Sequence, residues 1–113
     1  MSKELSGKVI FVTGSGRGLG RTMAEKLASL GADVAIHDLE WTGPAKYGEA
    51  KDLGEVAAEI AKHGVRTVAV TGNIGDPAAV QKMKEEIEAK LGTVNVLVNC
   101  AGGDIGASGN KPK

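Results

Sequence analysis

The stretch "KVIFVTGSGRGLG", residues 8 to 20, constrains the fold of this chain more than any other segment. A short run of β-branched and aromatic residues, typical of a strand buried on both faces, leads directly into a glycine-rich turn. Apolar residues at helical spacing follow the turn: Leu19, Met23, Leu27 and Leu30. The pattern stops at Gly31, where we expect a left-handed C-terminal cap. The chain therefore begins with a strand, a tight turn and a helix.

The same alternation of periods continues along the chain. Further strands are predicted over 33–38, 66–72 and 94–103, and further helices over 55–64 and 76–92. Asp76 and Pro77 suit the N-cap and the first position of the last helix. Strands that alternate with helices through right-handed crossovers form a parallel sheet with helices on both faces. We predict a single α/β domain, Rossmann-like and doubly wound, with strand order 3-2-1-4.

The length of 113 residues leaves little room for a second domain. We place the nucleotide-binding half-domain at residues 1–103 and interpret 104–113, "DIGASGNKPK", as a loop or tail without a hydrophobic period. An unpaired edge is expected at the fourth strand, where a fifth would add. We expect the chain to be the N-terminal portion of a longer enzyme, with a stand-alone cofactor-binding protein as the alternative.

Charge and composition favour a small-molecule ligand. Lys plus Arg equal Asp plus Glu at 14 each, so no net charge attracts nucleic acid or an anionic membrane. Apolar runs fall short of the roughly 18 residues of a membrane span, and the N-terminus lacks the pattern of a signal peptide. The single Cys100 cannot form an intramolecular disulfide. We expect a cytoplasmic location.

The glycine turn and one acidic residue together predict a dinucleotide site. Gly14 suits a tight turn, Gly18 lets the backbone approach a pyrophosphate, and Gly20 lets the helix pack close to the sheet. The phosphates would lie on the N–H groups at the helix N-terminus. Asp38 closes the second strand about 20 residues on, where a carboxylate accepts hydrogen bonds from a ribose diol. Taken singly, the turn is also compatible with a structural role and the aspartate with a turn cap.

Three motifs in order resemble the short-chain dehydrogenase/reductases. "TGSGRGLG" matches their Thr-Gly-x-x-x-Gly-x-Gly fingerprint, with an additional glycine at position 16. "NCAG", residues 99–102, is similar to their Asn-Asn-Ala-Gly turn, with Cys100 in place of the second Asn. "NI", residues 73–74, stands where the family has an Asp and an aliphatic residue. The resemblance covers essentially the whole chain, but only the N-terminal half of a typical member.

This resemblance implies cofactor contacts at the ends of all four strands. Along the pyrophosphate and its riboses it implies the turn residues Gly14, Ser15, Arg17, Gly18, Leu19 and Gly20. It places Asp38 on the adenosine ribose, and Asn73 and Ile74 beside the adenine. Beneath the ribose and nicotinamide it implies Asn99, Ala101 and Gly102.

The choice between NAD and NADP is a question of charge. The carboxylate of Asp38 would repel the 2′-phosphate of NADP, whereas Arg17 could partly neutralise it. In the family that this chain resembles, an acid at the end of the second strand indicates NAD even when an arginine occupies the glycine loop. We therefore expect NAD, with NADP less favoured.

Tyr47 and Lys51 have the spacing of that family's catalytic Tyr-x-x-x-Lys. The family places this pair on a helix after the fifth strand, whereas here it lies in a long connection between the second strand and second helix, at the adenosine end. We interpret the spacing as chance and expect no catalytic residue in the chain. Trp41, in the same connection, is expected to cover apolar surface, or alternatively the adenine pocket.

The histidines and the cysteine do not predict a metal site or a nucleophile. His37 and His63 have no metal-ligand spacing to each other or to Cys100, and we interpret them as ordinary strand-end and helix-end residues. Cys100 has no base near it in sequence and is expected to be a packed small side chain.

The resemblance implies an NAD-dependent oxidoreductase that transfers a hydride between nicotinamide and an alcohol or carbonyl substrate. The full-length protein is expected to be a dimer or tetramer, and these 113 residues alone are expected to be inactive. One alternative is a nucleotide-binding module without catalysis. Another is an S-adenosylmethionine-dependent methyltransferase, against which the Thr-Gly start of the turn and the "NCAG" motif argue.

Overall fold

Strands and helices alternate along the chain in a computed structural model that describes residues 4–16, 18–48 and 50–100. In order they are β1 (Val9–Thr13), α1 (Gly18–Ser29), β2 (Asp33–Asp38), α2 (Leu53–Ala61), β3 (Thr67–Thr71), α3 (Pro77–Leu91) and β4 (Val96–Asn99). A short 3₁₀ helix, Gly43–Tyr47, lies between β2 and α2. Each strand and α-helix predicted from the sequence is present.

The strands form one parallel sheet in the order β3-β2-β1-β4, which confirms the predicted order. Phe11 of β1 lies opposite Ala35 of β2 on one side and Leu97 of β4 on the other. Because all four strands are parallel, their carboxyl ends meet at one edge of the sheet, where ligands bind in folds of this type.

Both faces of the sheet are covered, which explains the unbroken apolar run in β1. One buried cluster, toward α1 and α2, contains Ile10, Val12, Val34, Ile36, Leu53, Val56 and Ile60. The other, toward α3, contains Val9, Phe11, Ala35, Val68, Val70, Met83, Ile87 and Leu91. Alternate residues of β1 therefore point into different clusters, as the period of a strand requires.

Helix α1 buries small residues fully and only one of its large apolar ones, Leu27, in part. Gly20, Ala24 and Ala28 face the sheet, whereas Leu19 is 74% exposed and Met23 is also exposed. Side chains of this size let the helix axis approach the strands closely. The leucine and methionine spacing therefore predicted the helix correctly without identifying its buried face.

Helix α3 begins as the sequence predicts. The side chain of Asp76 accepts a hydrogen bond from the backbone N–H of Ala78 at 3.0 Å, and Pro77 occupies the first helical position. This arrangement satisfies one of the amides that a helix N-terminus leaves unpaired.

Strand β4 is the most open element of the sheet. Val96 and Leu97 are exposed, at 44% and 60%. A groove of about 370 Å³ runs between α3 and β4 and is lined by Phe11, Thr13, Ile74, Val80, Lys84, Val94, Leu97 and Asn99. Within the described ranges, no helix has the length and apolar character needed to cross a membrane. The predicted tail, 104–113, lies outside the described residues.

Candidate functional site

The turn after β1 is built so tightly that only glycine fits at key positions. Gly14 and Gly18 have φ angles of +64° and +58°, which other residues rarely adopt. At Gly20 an added Cβ would lie 2.1 Å from the carbonyl oxygen of Gly14. The first turn of α1 is thus packed directly against the start of the glycine turn, which is the close helix–sheet packing expected at Gly20.

Ser15 faces inward from this turn and is fully buried. Its hydroxyl donates to the carbonyl of Val12 at 2.7 Å and accepts from the backbone N–H of His37 at 2.9 Å. Its own N–H donates to the carbonyl of His37 at 2.7 Å. Ser15 therefore ties the turn to β1 and β2 through its hydroxyl and its amide, and its contact with a pyrophosphate stays a prediction.

His37 connects three strands through its ring. Nδ1 accepts a hydrogen bond from the backbone N–H of Gly14 at 2.9 Å, and Nε2 lies 2.7 Å from the carbonyl oxygen of Gly72. Since an N–H group points at Nδ1, the proton must be on Nε2, which donates to Gly72. Burial lowers the pKa of His37 below 6.5, against smaller opposing effects of the Gly72 bond and of Asp38.

Sequence reasoning did not find this role, because it treated His37 as an ordinary strand-end residue. One signal was present. A polar side chain within a strand that is covered on both faces must find hydrogen-bond partners inside the protein.

Asp38 is held between two glycines at the end of β2. An added Cβ at Gly16 would lie 2.4 Å from Oδ2 of Asp38, and one at Gly43 would lie 2.6 Å from the same oxygen. Oδ1 accepts a hydrogen bond from the backbone N–H of Leu39 at 2.7 Å. The glycine at position 16, which the fingerprint does not require, makes room for this carboxylate.

The connection between β2 and α2 does not place Tyr47 and Lys51 on one helix. Tyr47 is the last residue of the 3₁₀ helix, which ends at Gly48 with a φ of +70°. Lys51 lies beyond this turn, where its backbone N–H donates to Glu55 Oε1 at 2.7 Å. The two residues therefore lack the helical spacing that brings a tyrosine and a lysine onto one face.

Trp41 contacts the start of α2. An added Cβ at Gly54 would lie 2.8 Å from the indole ring, and the carbonyl of Trp41 accepts from the N–H of Leu53 at 2.8 Å. Trp41 is otherwise 47% exposed, and its predicted role, over apolar surface or over the adenine pocket, stays a prediction.

The end of β3 presents Asn73 and Ile74. Asn73 is exposed, and its Oδ1 accepts a hydrogen bond from the N–H of Gly75 at 2.8 Å. Ile74 is half-buried and packs against the cluster beneath α3. Both residues lie at the carboxyl edge, and their contacts with adenine stay a prediction.

The end of β4 is tied to β1 through Thr13. The hydroxyl of Thr13 donates to Oδ1 of Asn99 at 2.8 Å and accepts from the N–H of Cys100 at 3.1 Å. Cys100 is half-buried and packs against the cluster beneath α1 and α2, as expected of a packed side chain. Arg17, Ala101 and Gly102, also predicted at the site, lie outside the described residues.

The electrostatics of this edge suit a ligand with an anionic centre and a polar end. The first turn of α1, Gly18 to Arg21, carries no acidic side chain, and a helix N-terminus attracts anions. Asp38 supplies a hydrogen-bond acceptor beside the same turn. In the described part of the chain, no cluster of three His, Cys, Asp or Glu residues could hold a metal ion.

The fold and site geometry agree with the comparison against known families. Residues 8–112 match the family model for short chain dehydrogenase. The chain belongs to this family, as the three sequence motifs implied.

Relatives within the family differ in the reactions that their names describe. The chain is 44% identical over 103 residues to 3-oxoacyl-(acyl-carrier-protein) reductase FabG of Aquifex aeolicus, covering 90% of this chain and 38% of that protein. It is 38% identical over 100 residues to L-rhamnose 1-dehydrogenase (NAD(P)(+)) of a Sphingomonas species, covering 88% of this chain and 36% of the relative.

A solved structure shows the same architecture. Hydroxysteroid dehydrogenase from Escherichia coli matches with a TM-score of 0.72 and 28% identity, over 86% of this chain and 37% of that one. The chain thus spans a little over a third of the length of the proteins that it matches.

Proposed function

We propose that the protein containing this chain is an NAD-dependent oxidoreductase, and that residues 1–103 are its cofactor-binding half-domain. The observation that carries this proposal is the placement of the Asp38 carboxylate against Gly16, within the turn that Gly20 closes onto Gly14. The turn therefore combines the N-terminus of α1, which attracts anions, with a hydrogen-bond acceptor for a ribose, which is the combination that a dinucleotide requires. NAD would supply the hydride acceptor of the reaction.

Different residues at the carboxyl edge of the sheet would bind different parts of the cofactor. The glycine turn and the first turn of α1, including Gly18 and Leu19, would hold the pyrophosphate, with Arg17 beside it. Asp38 would accept hydrogen bonds from the adenosine ribose. Adenine would lie between Asn73 and Ile74, and the nicotinamide side would lie over Asn99, Ala101 and Gly102.

The preference for NAD over NADP follows from how Asp38 is held. With Gly16 and Gly43 against the carboxylate and Leu39 bonded to it, the side chain has little freedom to turn away from a 2′-phosphate. A phosphate at that position would meet a fixed negative charge and would also displace the diol that the carboxylate accepts from.

The substrate class is a small alcohol or carbonyl compound. The names of the relatives describe a sugar dehydrogenase and an acyl-thioester reductase, both of which act on a carbon bearing oxygen. We propose a cytoplasmic homo-oligomer that acts on such a substrate without nucleic acid or membrane. We propose that the catalytic residues lie outside the described ranges.

Calorimetric titration of the full-length protein with NAD and with NADP tests this proposal. We expect the intact protein to bind NAD more tightly than NADP. We expect Asp38→Asn and Asp38→Ala to weaken NAD binding about tenfold or more, and so to reduce or reverse the difference in affinity between the two cofactors. Glu86→Gln, which removes an equal charge from the exposed side of α3, is the matched control and should leave both affinities unchanged. Equal affinities for the two cofactors on the intact protein would contradict the preference.

Turnover distinguishes the enzyme from a non-catalytic nucleotide-binding module. We expect the full-length protein to reduce NAD with at least one member of a panel of sugars, polyols and hydroxysteroids. Binding of NAD without any turnover would favour the module. The family match does not favour the methyltransferase alternative, which binding of S-adenosylmethionine in place of NAD would revive.

A further inference from the structure

We propose that His37 is a positioning residue that sets the glycine turn and the end of β3 in register with each other. This inference rests on the proposed cofactor site, because the two segments that it connects are those assigned to the pyrophosphate and the adenine. His37 itself would not touch the cofactor. Its effect would pass through Gly14 and Gly72, the backbone groups that its ring holds.

The ring spans two strands that are not neighbours. β1 and β3 lie on opposite sides of β2, so no ladder of backbone hydrogen bonds joins them. His37 reaches Gly14 beyond β1 at 2.9 Å and Gly72 beyond β3 at 2.7 Å. One side chain therefore supplies a direct connection between the carboxyl ends of β1 and β3, the two neighbours of β2.

The orientation of the ring is fixed by its surroundings. His37 is only 3% exposed, so water cannot replace a lost partner at little cost. The Phe11 ring meets it edge-on, with centroids 6.3 Å apart and planes at 79°. The backbone of His37 is also bonded in both directions to Ser15. These contacts hold the imidazole in one tautomer, with Nδ1 accepting and Nε2 donating.

The N–H of Gly14 and the carbonyl of Gly72 stand where the two proposed cofactor-binding segments begin. Gly14 starts the turn that would approach the pyrophosphate, and its positive φ leaves its peptide plane dependent on its hydrogen bonds. Gly72 immediately precedes Asn73, and its N–H donates to the carbonyl of Asp38 at 3.3 Å. Alignment of these groups fixes the distance between the sites for adenine and for phosphate before any ligand binds, which lowers the ordering cost of binding.

Two substitutions separate the two hydrogen bonds of the His37 ring, the one with Gly14 and the one with Gly72. In His37→Asn the amide oxygen stands near the position of Nδ1 and can accept from Gly14, but the side chain is too short to reach Gly72. In His37→Gln the terminal amide reaches the position of Nε2 and can donate to Gly72, while Gly14 loses its acceptor. His63→Asn, at an exposed histidine bonded to Glu25, is the matched control.

Hydrogen–deuterium exchange and NAD titration of the full-length protein give the readout. We expect His37→Gln to accelerate exchange in the peptide containing Gly14, His37→Asn in the peptide containing Gly72, and each to weaken NAD binding about tenfold. A merely structural histidine would loosen both peptides together in both variants. That result, or unchanged NAD affinity in both variants, would overturn the proposal.

The intact protein provides a test that does not depend on the variants folding. Nitrogen chemical shifts of the His37 ring should show an unprotonated Nδ1 and a protonated Nε2 at neutral pH. A protonated Nδ1 could not accept from Gly14 and would overturn the proposal. If the intact protein fails to bind NAD, the proposed function fails. In that case the ring tautomer and the exchange pattern still decide whether His37 aligns the two segments.

Discussion

The two flanks of β1 differ sharply in how they are built. On the β2 side, four residues of the strand are buried, and His37 and Ser15 bind the glycine turn through side-chain and backbone groups. On the β4 side, three of the four strand residues are exposed, Thr13 bonds to Asn99, and the Asn95 side chain accepts from the N–H of Val9 at the other end of β1. Both flanks have regular parallel pairing with β1. The difference therefore lies in side-chain burial and bonding.

This contrast separates the two ends of the proposed cofactor. The adenosine end, at Asp38 and the described residues of the glycine turn, is closely packed: Gly16 and Gly43 lie against the carboxylate, and Gly20 lies against Gly14. The nicotinamide end, at Asn99, lies beside an open groove and an exposed strand. We infer that binding energy comes chiefly from the adenosine end. Substitutions there should cost more affinity than equivalent ones along β4.

Substitution of Gly20 is expected to lower stability and NAD affinity more than any other change considered. In Gly20→Ala the new Cβ would lie 2.1 Å from the Gly14 carbonyl oxygen, so the turn or the helix must move. We expect about 1–3 kcal/mol of lost stability and a tenfold to hundredfold loss of NAD affinity, measured by denaturation and calorimetry.

The control for Gly20→Ala is Gly64→Ala. Gly64 has a φ of +87° and open space around an added Cβ, so this substitution introduces backbone strain without a clash and far from the turn. It should lower stability while leaving NAD affinity unchanged. If Gly20→Ala bound NAD as tightly as the intact protein, close packing of the turn would not be needed for the cofactor.

A matched pair of hydroxyl deletions compares the flanks directly. Ser15→Ala leaves the buried N–H of His37 without its partner, which we expect to cost about 1–3 kcal/mol. Thr13→Val keeps the shape of the side chain and frees Asn99, which is exposed and can bond to water. The N–H of Cys100 loses the hydroxyl but keeps the backbone carbonyl of Thr13 at 3.3 Å, so we expect a cost of about 1 kcal/mol or less. Denaturant unfolding of both variants is the measurement. If Thr13→Val lost as much stability as Ser15→Ala, or more, the two flanks of β1 would not differ as proposed.

A change of pH is expected to have a smaller effect on the free energy of unfolding. Burial lowers the pKa of His37 in the folded protein, so below about pH 6.5 the unfolded chain binds a proton that the folded chain resists. Stability from this group is therefore complete above pH 6.5 and declines as the pH falls toward the folded pKa, with a slope of at most about 1.4 kcal/mol per pH unit. Unfolding curves between roughly pH 5 and 7 measure the decline.

His37→Asn isolates this contribution, because asparagine does not titrate. Its stability profile should be flatter than that of the intact protein over the same range. Parallel profiles for the two proteins would show that protonation of His37 does not oppose folding.

The smallest effect is expected at Tyr47 and Lys51. The 3₁₀ helix ends at Gly48, between the two residues, so they do not form a helical pair. We expect Tyr47→Phe combined with Lys51→Ala to leave NAD-dependent turnover of the full-length protein within about twofold of the intact value, which corresponds to less than 1 kcal/mol. A loss of two or more orders of magnitude would place the chemistry in this connection.

The sequence predicted most of the fold because its signals are local. The apolar run of β1, the helical spacing after it and the Asp76–Pro77 start of α3 each act within a few residues. The handedness of βα crossovers predicted a parallel sheet with helices on both faces, and the order 3-2-1-4 followed from the doubly wound nucleotide-binding fold that the glycine turn indicated. The buried face of α1 was not predictable in this way, because closeness to the sheet selects Gly20, Ala24 and Ala28 over larger apolar residues.

The sequence by itself determined the class of fold, the family and the residues to examine for a cofactor, since glycines, strand periods and an aspartate at fixed spacing carry that information. Only the tertiary structure decided what those residues contact. Gly16 and Gly43 are 27 positions apart, yet both leave room for Asp38, and His37 joins Gly14 to Gly72 across the sheet. Such contacts depend on packing between distant segments, and no local pattern specifies which backbone groups a buried side chain will reach.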